Sequence, residues 1–477
     1  MESTDEHQNH SKRTWAGSCL LLILTVAVFC PIADFDFITY DDPQYIISNP
    51  FVTSGLSANG LRWAFTSDLG GQWMPLTWLS HMLDCQIFGL EAGRHHLVNL
   101  AIHALNAVLL FACLTRLTRR ADLSWVAAAF FAIHPQRVET VAWAAERKDV
   151  LSMFFFLLAL LAYLHHVTSP TRKSMALVLL AYGLGLMCKQ SIVMTPVLFL
   201  ILDFWPIQRH ELTQSGGIRS CIIEKIPMIA LTSFVIGLKL WIAMRTHAIT
   251  STATLPLSDQ MANVPISYVT YIRQFLWPSD LSIFHIHPYG TYTTLWLVTC
   301  ILSLIFITLF GFAFRSRWPW LLAGWTWYFV ALLPASGIIQ AGLQGRADRY
   351  LYLPSIGLLL LCVWSAERLL TWMRTPTRWK YFLVVACLTC SGVAARAYVI
   401  QWRDSLTLYR HALHVDPDND FAHSALGAVY THLGAVDLAL HHFSEAVRIR
   451  PGAPDYQRDL MLIRERIQQK KTTRSGS

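Results

Sequence analysis

Charge is what this chain has least of. Asp, Glu, Lys and Arg make up 14% of its 477 residues, against about a quarter in ordinary soluble domains. With 54% hydrophobic residues and a mean hydropathy of +0.40, that scarcity excludes a soluble globular protein and leaves a polytopic membrane protein. A backbone that crosses a bilayer must satisfy its own hydrogen bonds, so an all-α fold is expected. A disulfide framework is lacking as well. Of ten cysteines, Cys19, Cys30, Cys113, Cys188, Cys300, Cys362, Cys387 and Cys390 lie in apolar runs, Cys221 falls in a polar loop, and Cys85 has no cysteine partner in its own loop. No zinc-type spacing is readable; Cys387 and Cys390, three apart in an apolar helix, fit packing better than metal. The net charge of +8 implies no nucleic-acid partner, because the lysines and arginines fall mostly between apolar segments, as orientation signals do.

What is present is a succession of apolar runs. Residues 1–13 are polar, are expected to be a disordered cytoplasmic tail, and end in Lys12-Arg13. Trp15 to Ile32 carries no charge and is long enough to cross a bilayer. No convincing small-x-small cleavage site follows it, so it reads as an anchor. The loop 34–94 is acidic and poor in lysine and arginine, which places it outside the cytoplasm. Within it, Leu61–Phe65 and Trp73–Leu79 are amphipathic and are expected to lie in the interface, roofing a membrane cavity. Further spans are read at His95–Thr115, Ser124–Ile133, Val150–His165, Met175–Met187, Ile192–Trp205, Ile226–Met244, Leu295–Phe314, Trp320–Leu333, just after Ser355, and at Tyr381–Ala395. Val264–Trp277, interrupted by Arg273, reads as interfacial or re-entrant. The total is about eleven membrane helices within residues 14–397, with an outward C-terminus.

Polar residues crowd at the outer ends of these runs. Asp41 and Asp42 follow Tyr40 just beyond the first span and precede Pro43. They are either a solvated turn, which Pro43 favours, or a working site. His96, Asn99, His103 and Asn106 recur at intervals of three and four, so they share one helical face. Such a stripe either hydrogen-bonds neighbouring helices or lines a wet cavity. His134-Pro135 opens a segment carrying Arg137, Glu139, Glu146, Arg147, Lys148 and Asp149 between two short spans, with no flexible linker. Lys189 is an isolated charge at an outer edge: a snorkelling lysine or a counter-charge for an anionic ligand. Arg346, Arg349, Tyr350 and Tyr352 sit at the outer edge of the tenth span, as an anchor or as a ligand site.

The tail carries a repeat. Leu426, Gly427, Tyr430, Ala439, Phe443, Ala446 and Pro451 fall on the 34-residue tetratricopeptide pattern. Ala412 and Pro417 precede Ala446 and Pro451 by that period. The repeat region is expected over 404–468, with one full repeat from about Asp420 to Ala453 and a capping helix at Tyr456–Ile467. It either braces the membrane domain or presents a peptide.

Together, Tyr40-Asp41-Asp42, His95-His96-Leu97-Val98-Asn99, His134-Pro135 with Val138-Glu139, Arg147-Lys148-Asp149, Cys188-Lys189-Gln190, Arg349–Ser355 and the tail repeat resemble the transmembrane and tetratricopeptide-repeat O-mannosyltransferases of the GT-C glycosyltransferase superfamily. The resemblance implies an inverting transferase that moves a hexose such as mannose from a polyprenyl-phosphate carrier to a serine or threonine hydroxyl of an acceptor outside the cytoplasm. The tail could hold that acceptor. The chain departs from the family in having very few repeats, which leaves acceptor and sugar open. The resemblance also implies a bilayer location: a bacterial inner membrane with a periplasmic site and tail, or, in a eukaryote, the endoplasmic reticulum with a luminal site.

The chemistry needs a carboxylate to take the acceptor's proton, worth about 100- to 10,000-fold. It also needs cations where charge grows on the leaving phosphate, for which arginine's planar fork is suited. Asp42, or else Asp41, is the candidate base. Arg349, Arg346, Lys189 and Tyr352 are candidates for the phosphate. His95, His96, Asn99, His134 and Glu139 would bind sugar or orient the base, supported by Arg147 and Asp149. No cofactor is required. Two carboxylates with histidines could hold a divalent cation, but no ligand spacing demands one. Two other readings stay open: a transporter of lipid-linked sugar, for which internal halves are missing, and a membrane-anchored tetratricopeptide scaffold, for which one span would suffice.

Overall fold

The computed structural model describes residues 2–209, 217–245, 256–288, 290–338 and 344–475. Nearly all of it is helical, and every apolar run read above forms a helix. Among the described residues, six helices are long and apolar enough to cross a membrane: Thr14–Asp34, Ala92–Thr118, Ala144–Thr168, Thr294–Ala313, Ser355–Trp372 and Thr377–Trp402. A pair bent by 46°, Gly217–Glu224 with Ile226–Ile242, makes a seventh if it is counted as one span. The other four segments counted among the eleven are shorter: Ala121–Ile133, Arg172–Leu186, Thr195–Phe204 and Pro319–Leu332 have 13, 15, 10 and 14 residues. At about 1.5 Å per residue they fall short of a hydrocarbon core of about 30 Å. The segment Val264–Trp277 belongs to a helix, Leu257–Leu276, that is not apolar enough to count as a span. The polar lead is helical from Glu2 rather than irregular, continuous with the first span.

Side chains on two spans mark the lipid-facing surface. Leu302, Phe306 and Leu309 on Thr294–Ala313, and Phe382 and Val385 on Thr377–Val399, are exposed, which water would not tolerate over so long an apolar face. Where spans approach closely, small residues permit it: a Cβ at Gly357 would run into the Gly324 carbonyl oxygen, as expected where lipid offers no hydrophobic drive.

The polar stripe sews the centre together. Asn99 donates to the Trp143 carbonyl at 2.8 Å, Asn106 to Val150 at 2.8 Å, and Cys113 Sγ lies 3.7 Å from the Leu157 carbonyl. Both sides advance by seven residues, so Ala92–Thr118 and Ala144–Thr168 run parallel along a heptad-like seam. Their N-terminal ends therefore lie together, and the acidic loop and the charged 134–149 segment meet there.

Two smaller devices complete that end. His285–Ile286 pairs antiparallel with Gln344–Arg346, and a Cβ at Gly345 would lie 2.8 Å from the His287 Cα, so this strand needs glycine. The tail forms four helices, Ser405–Val415, Asp420–His432, Val436–Ile449 and Pro454–Ser475. Asp404 and Asn419 cap the first two, accepting from Thr407 and Ala422 N–H groups as orphan donors at a helix start require. Gly427 lies against the Phe443 ring, letting the middle pair pack tightly.

Candidate active site

The turn that begins the site has Pro43 in it, and it withdraws one of its two aspartates from solvent while leaving the other partly exposed. Asp42 is fully buried. One of its carboxylate oxygens accepts from the Ile38 N–H at 2.7 Å and the other from the Ala145 N–H at 2.8 Å. Burial pushes its carboxyl up to about 7 against these two hydrogen bonds. Asp41 is different. Its side chain is 27% exposed, and its ion-pair partner among the described residues is Lys148, at 3.6 Å.

Lys148 leads into a chain of charges. It lies 3.0 Å from Glu146, which also meets Lys189 at 3.3 Å and Arg349 at 3.2 Å. Lys189 pairs with Asp149 at 2.7 Å. Arg349 pairs with Glu139 through its guanidinium and through its backbone N–H, the latter at 2.8 Å. Burial works against the Arg349 charge, but Glu139 and Glu146 beside it hold its pKa well above the ordinary value. Breaking one partner of so buried a network would strand the other's charge.

Aromatic rings wall the cluster. Trp143 lies under both Arg349, at 5.4 Å, and Lys148, at 5.8 Å. Tyr40 stacks on Trp143 at 5.4 Å, Tyr45 lies 4.9 Å from the Lys148 ammonium, and Tyr350 is 5.1 Å from Arg349. Burial pushes the Tyr40 and Tyr45 hydroxyls up to about 12, so both remain donors near neutral pH. The tail reaches this wall. Phe421 meets the Tyr40 ring at 4.9 Å, Ser405 accepts from the Thr39 N–H at 2.9 Å, and Tyr409 donates to the Thr39 carbonyl at 3.2 Å.

Five of the residues singled out from the sequence therefore come together: Asp41, Glu139, Asp149, Lys189 and Arg349. The others stand behind or beside them. Arg147 points away, donating to Ser80, Asp84, the His95 carbonyl and Asn99. His96 bonds the Asp36 carbonyl at 3.2 Å and His134 the Phe275 carbonyl at 2.9 Å. Tyr352 is tied to His103 at 2.6 Å and Asn106 at 3.3 Å in the interior. Arg346 donates to His285, whose other nitrogen bonds Asp348 at 3.0 Å. Sequence reasoning gave no role to Glu146, Lys148 and Trp143. The signal for Glu146 and Lys148 was the run of four charges at the start of a helix, where successive side chains diverge around the axis and the pattern alone cannot say which face the site; Trp143 lies outside that run.

No family model matches the chain. Among curated proteins it is 23% identical over 451 residues to protein O-mannosyl-transferase F38B6.6 of Caenorhabditis elegans, covering 91% of this chain and 62% of that one. It is 25% identical to protein O-mannosyl-transferase Tmtc1 of Drosophila melanogaster, over 85% of this chain and 58% of the relative. It is 24% identical to human protein O-mannosyl-transferase TMTC1, over 86% and 53%. The chain thus spans about half to three fifths of the length of the curated relatives it matches. Among solved structures, ArnT from Cupriavidus metallidurans bound to undecaprenyl phosphate aligns over 90% of this chain and 75% of that one, with 13% identity and a TM-score of 0.39, too low to argue from. The resemblance read from the motifs is borne out by the sequence relatives: over most of its length the chain is related to proteins named protein O-mannosyl-transferase.

Proposed function

We propose that the chain is an inverting glycosyltransferase that moves a hexose, mannose in the first instance, from a polyprenyl-phosphate donor to a serine or threonine hydroxyl of a protein. The observation that carries this reading is the convergence of Asp41 with Lys148, Lys189 and Arg349 around Glu146, against the Trp143 wall. The relatives' names support the transfer chemistry and the sugar. In this reading the site and the tail face away from the cytoplasm.

Asp41 is the better base of the pair. Asp42 has both oxygens engaged by backbone N–H groups and serves to hold the loop. Asp41 takes the acceptor hydroxyl's proton while the acceptor's oxygen attacks the anomeric carbon from the face opposite the phosphate. The carbon–phosphate oxygen bond breaks, inverting the centre, and the electron pair leaves on the phosphate. Lys189, 14% exposed, and Arg349 then exchange part of their pairing with Glu146 and Glu139 for phosphate oxygens, stabilising the charge that grows there.

The test is to incubate the purified protein with a panel of polyprenyl-phosphate sugars and a serine- and threonine-containing peptide. Consumption of one hexose donor with an inverted glycosyl-peptide product is expected. Passage of intact donor across a vesicle bilayer with no chemical change would instead make the protein a transporter.

A further inference from the structure

Behind the charged cluster lies a second group of buried polar side chains that the transfer chemistry does not use. His81 and Asp84, three residues apart, share a face of the helix Pro75–Phe88, and His95 comes from the first turn of Ala92–Thr118. All three are buried, and one ligand atom from each lies within 4.8 Å of the others. Both ring nitrogens of His81, and Nδ1 of His95, have no hydrogen-bond partner among the described residues. Buried polar atoms are almost always satisfied, so orphans in one spot require an explanation.

The tautomer of His95 sharpens the point. Its Nε2 lies 3.0 Å from the Gly89 carbonyl oxygen, which can only accept, so Nε2 carries the hydrogen. In the neutral ring Nδ1 is then a bare lone pair, and it faces Asp84 Oδ2 at 3.6 Å. Two electron-rich atoms confront each other with no hydrogen between them. A proton on His95 would answer that confrontation but would leave both ring nitrogens of His81 without a partner. A divalent cation would engage His95 Nδ1, the Asp84 carboxylate and one ring nitrogen of His81 together.

We propose that His81, Asp84 and His95 bind a divalent transition-metal ion of the zinc class. Two imidazoles and one carboxylate suit that ion, with a water in the fourth place. The hydrogen bonds from His95 to Gly89 and from Arg147 to Asp84 are the outer partners that orient metal ligands. Tetrahedral coordination at about 2.0–2.1 Å needs ligand atoms roughly 3.3 Å apart, a closure that side-chain rotation supplies. The ion acts by position rather than in the transfer itself. It clamps the Pro75–Phe88 helix to the long span behind Arg147, which bonds Asn99, which in turn holds the Trp143 carbonyl.

The full chain, purified through a tag that binds no metal, is to be assayed by inductively coupled plasma mass spectrometry. About one zinc ion per chain is expected, falling at least tenfold in His81→Ala and in Asp84→Asn. His442→Ala is expected to keep it, since the tail pair His423 and His442 sits outside the site with Nδ1 atoms 3.0 Å apart. Cobalt added to chelator-treated wild type is expected to give the visible absorption of a four-coordinate site, a readout that does not depend on any variant folding. Wild type without stoichiometric metal and without that absorption would overturn the proposal in favour of a proton or water, and full metal in a folded His81→Ala would overturn it too.

Discussion

Asp42 accepts one backbone N–H on each carboxylate oxygen, whereas Asp41 beside it meets one lysine and keeps a solvent-accessible edge. Asp42→Asn replaces one acceptor by an NH₂ group facing an N–H, and is expected to destabilise the protein by about 1–3 kcal/mol, read by thermal unfolding of the purified chain. The pH dependence has a definite sign. A carboxyl raised to about 7 by folding adds stability that is complete below its ordinary value near 3.8 and is lost as pH rises through about 7. Wild type should therefore lose melting temperature as pH rises from near 3.8 to about 7 and level off above that, and Asp42→Asn should lack that component. Asp41→Asn should keep the wild-type melting temperature. The sequence showed the pair but not which member is buried. That is decided by Ala145, 103 residues away, and no local pattern carries it.

The helix Ala92–Thr118 shows how much an element reveals of itself. Its polar stripe was legible because the helical period places His96, Asn99, His103 and Asn106 on one face. The partners were not, since they are carbonyls on a helix whose register only packing fixes. The hydrogen-bonding reading of the stripe holds, and its members are all buried. His103 and Asn106 join helices, while Asn99 links Arg147 to the Trp143 wall. Asn106→Ala should therefore cost about 0.6–1.7 kcal/mol in unfolding measurements and leave turnover near wild type. Asn99→Ala should lower turnover more than it lowers stability. The count of spans was less legible than their positions, because an apolar run ended by His134-Pro135 or Trp205-Pro206 looks alike whether it crosses fully or stops short.

At the scale of the whole molecule, the tail and the membrane part share the segment that carries Asp41. Thr39 is held at both its N–H and its carbonyl by Ser405 and Tyr409, and Phe421 packs on both Tyr40 and Phe284. The tail is helical where the sequence was read as helical; its docking was not legible, since it joins residues some 370 apart. Phe421→Ala is expected to destabilise by about 2 kcal/mol, less than the 3–5 of a fully buried ring, and to lower transfer even to a short peptide, by loosening the Asp41 loop. Turnover of Asp41→Asn is the most direct trial of the whole reading. With a polyprenyl-phosphate hexose and a serine- or threonine-containing peptide, it should fall about 100- to 10,000-fold below wild type at an unchanged melting temperature. Turnover equal to wild type in that variant would contradict the assignment of glycosyl transfer to this cluster.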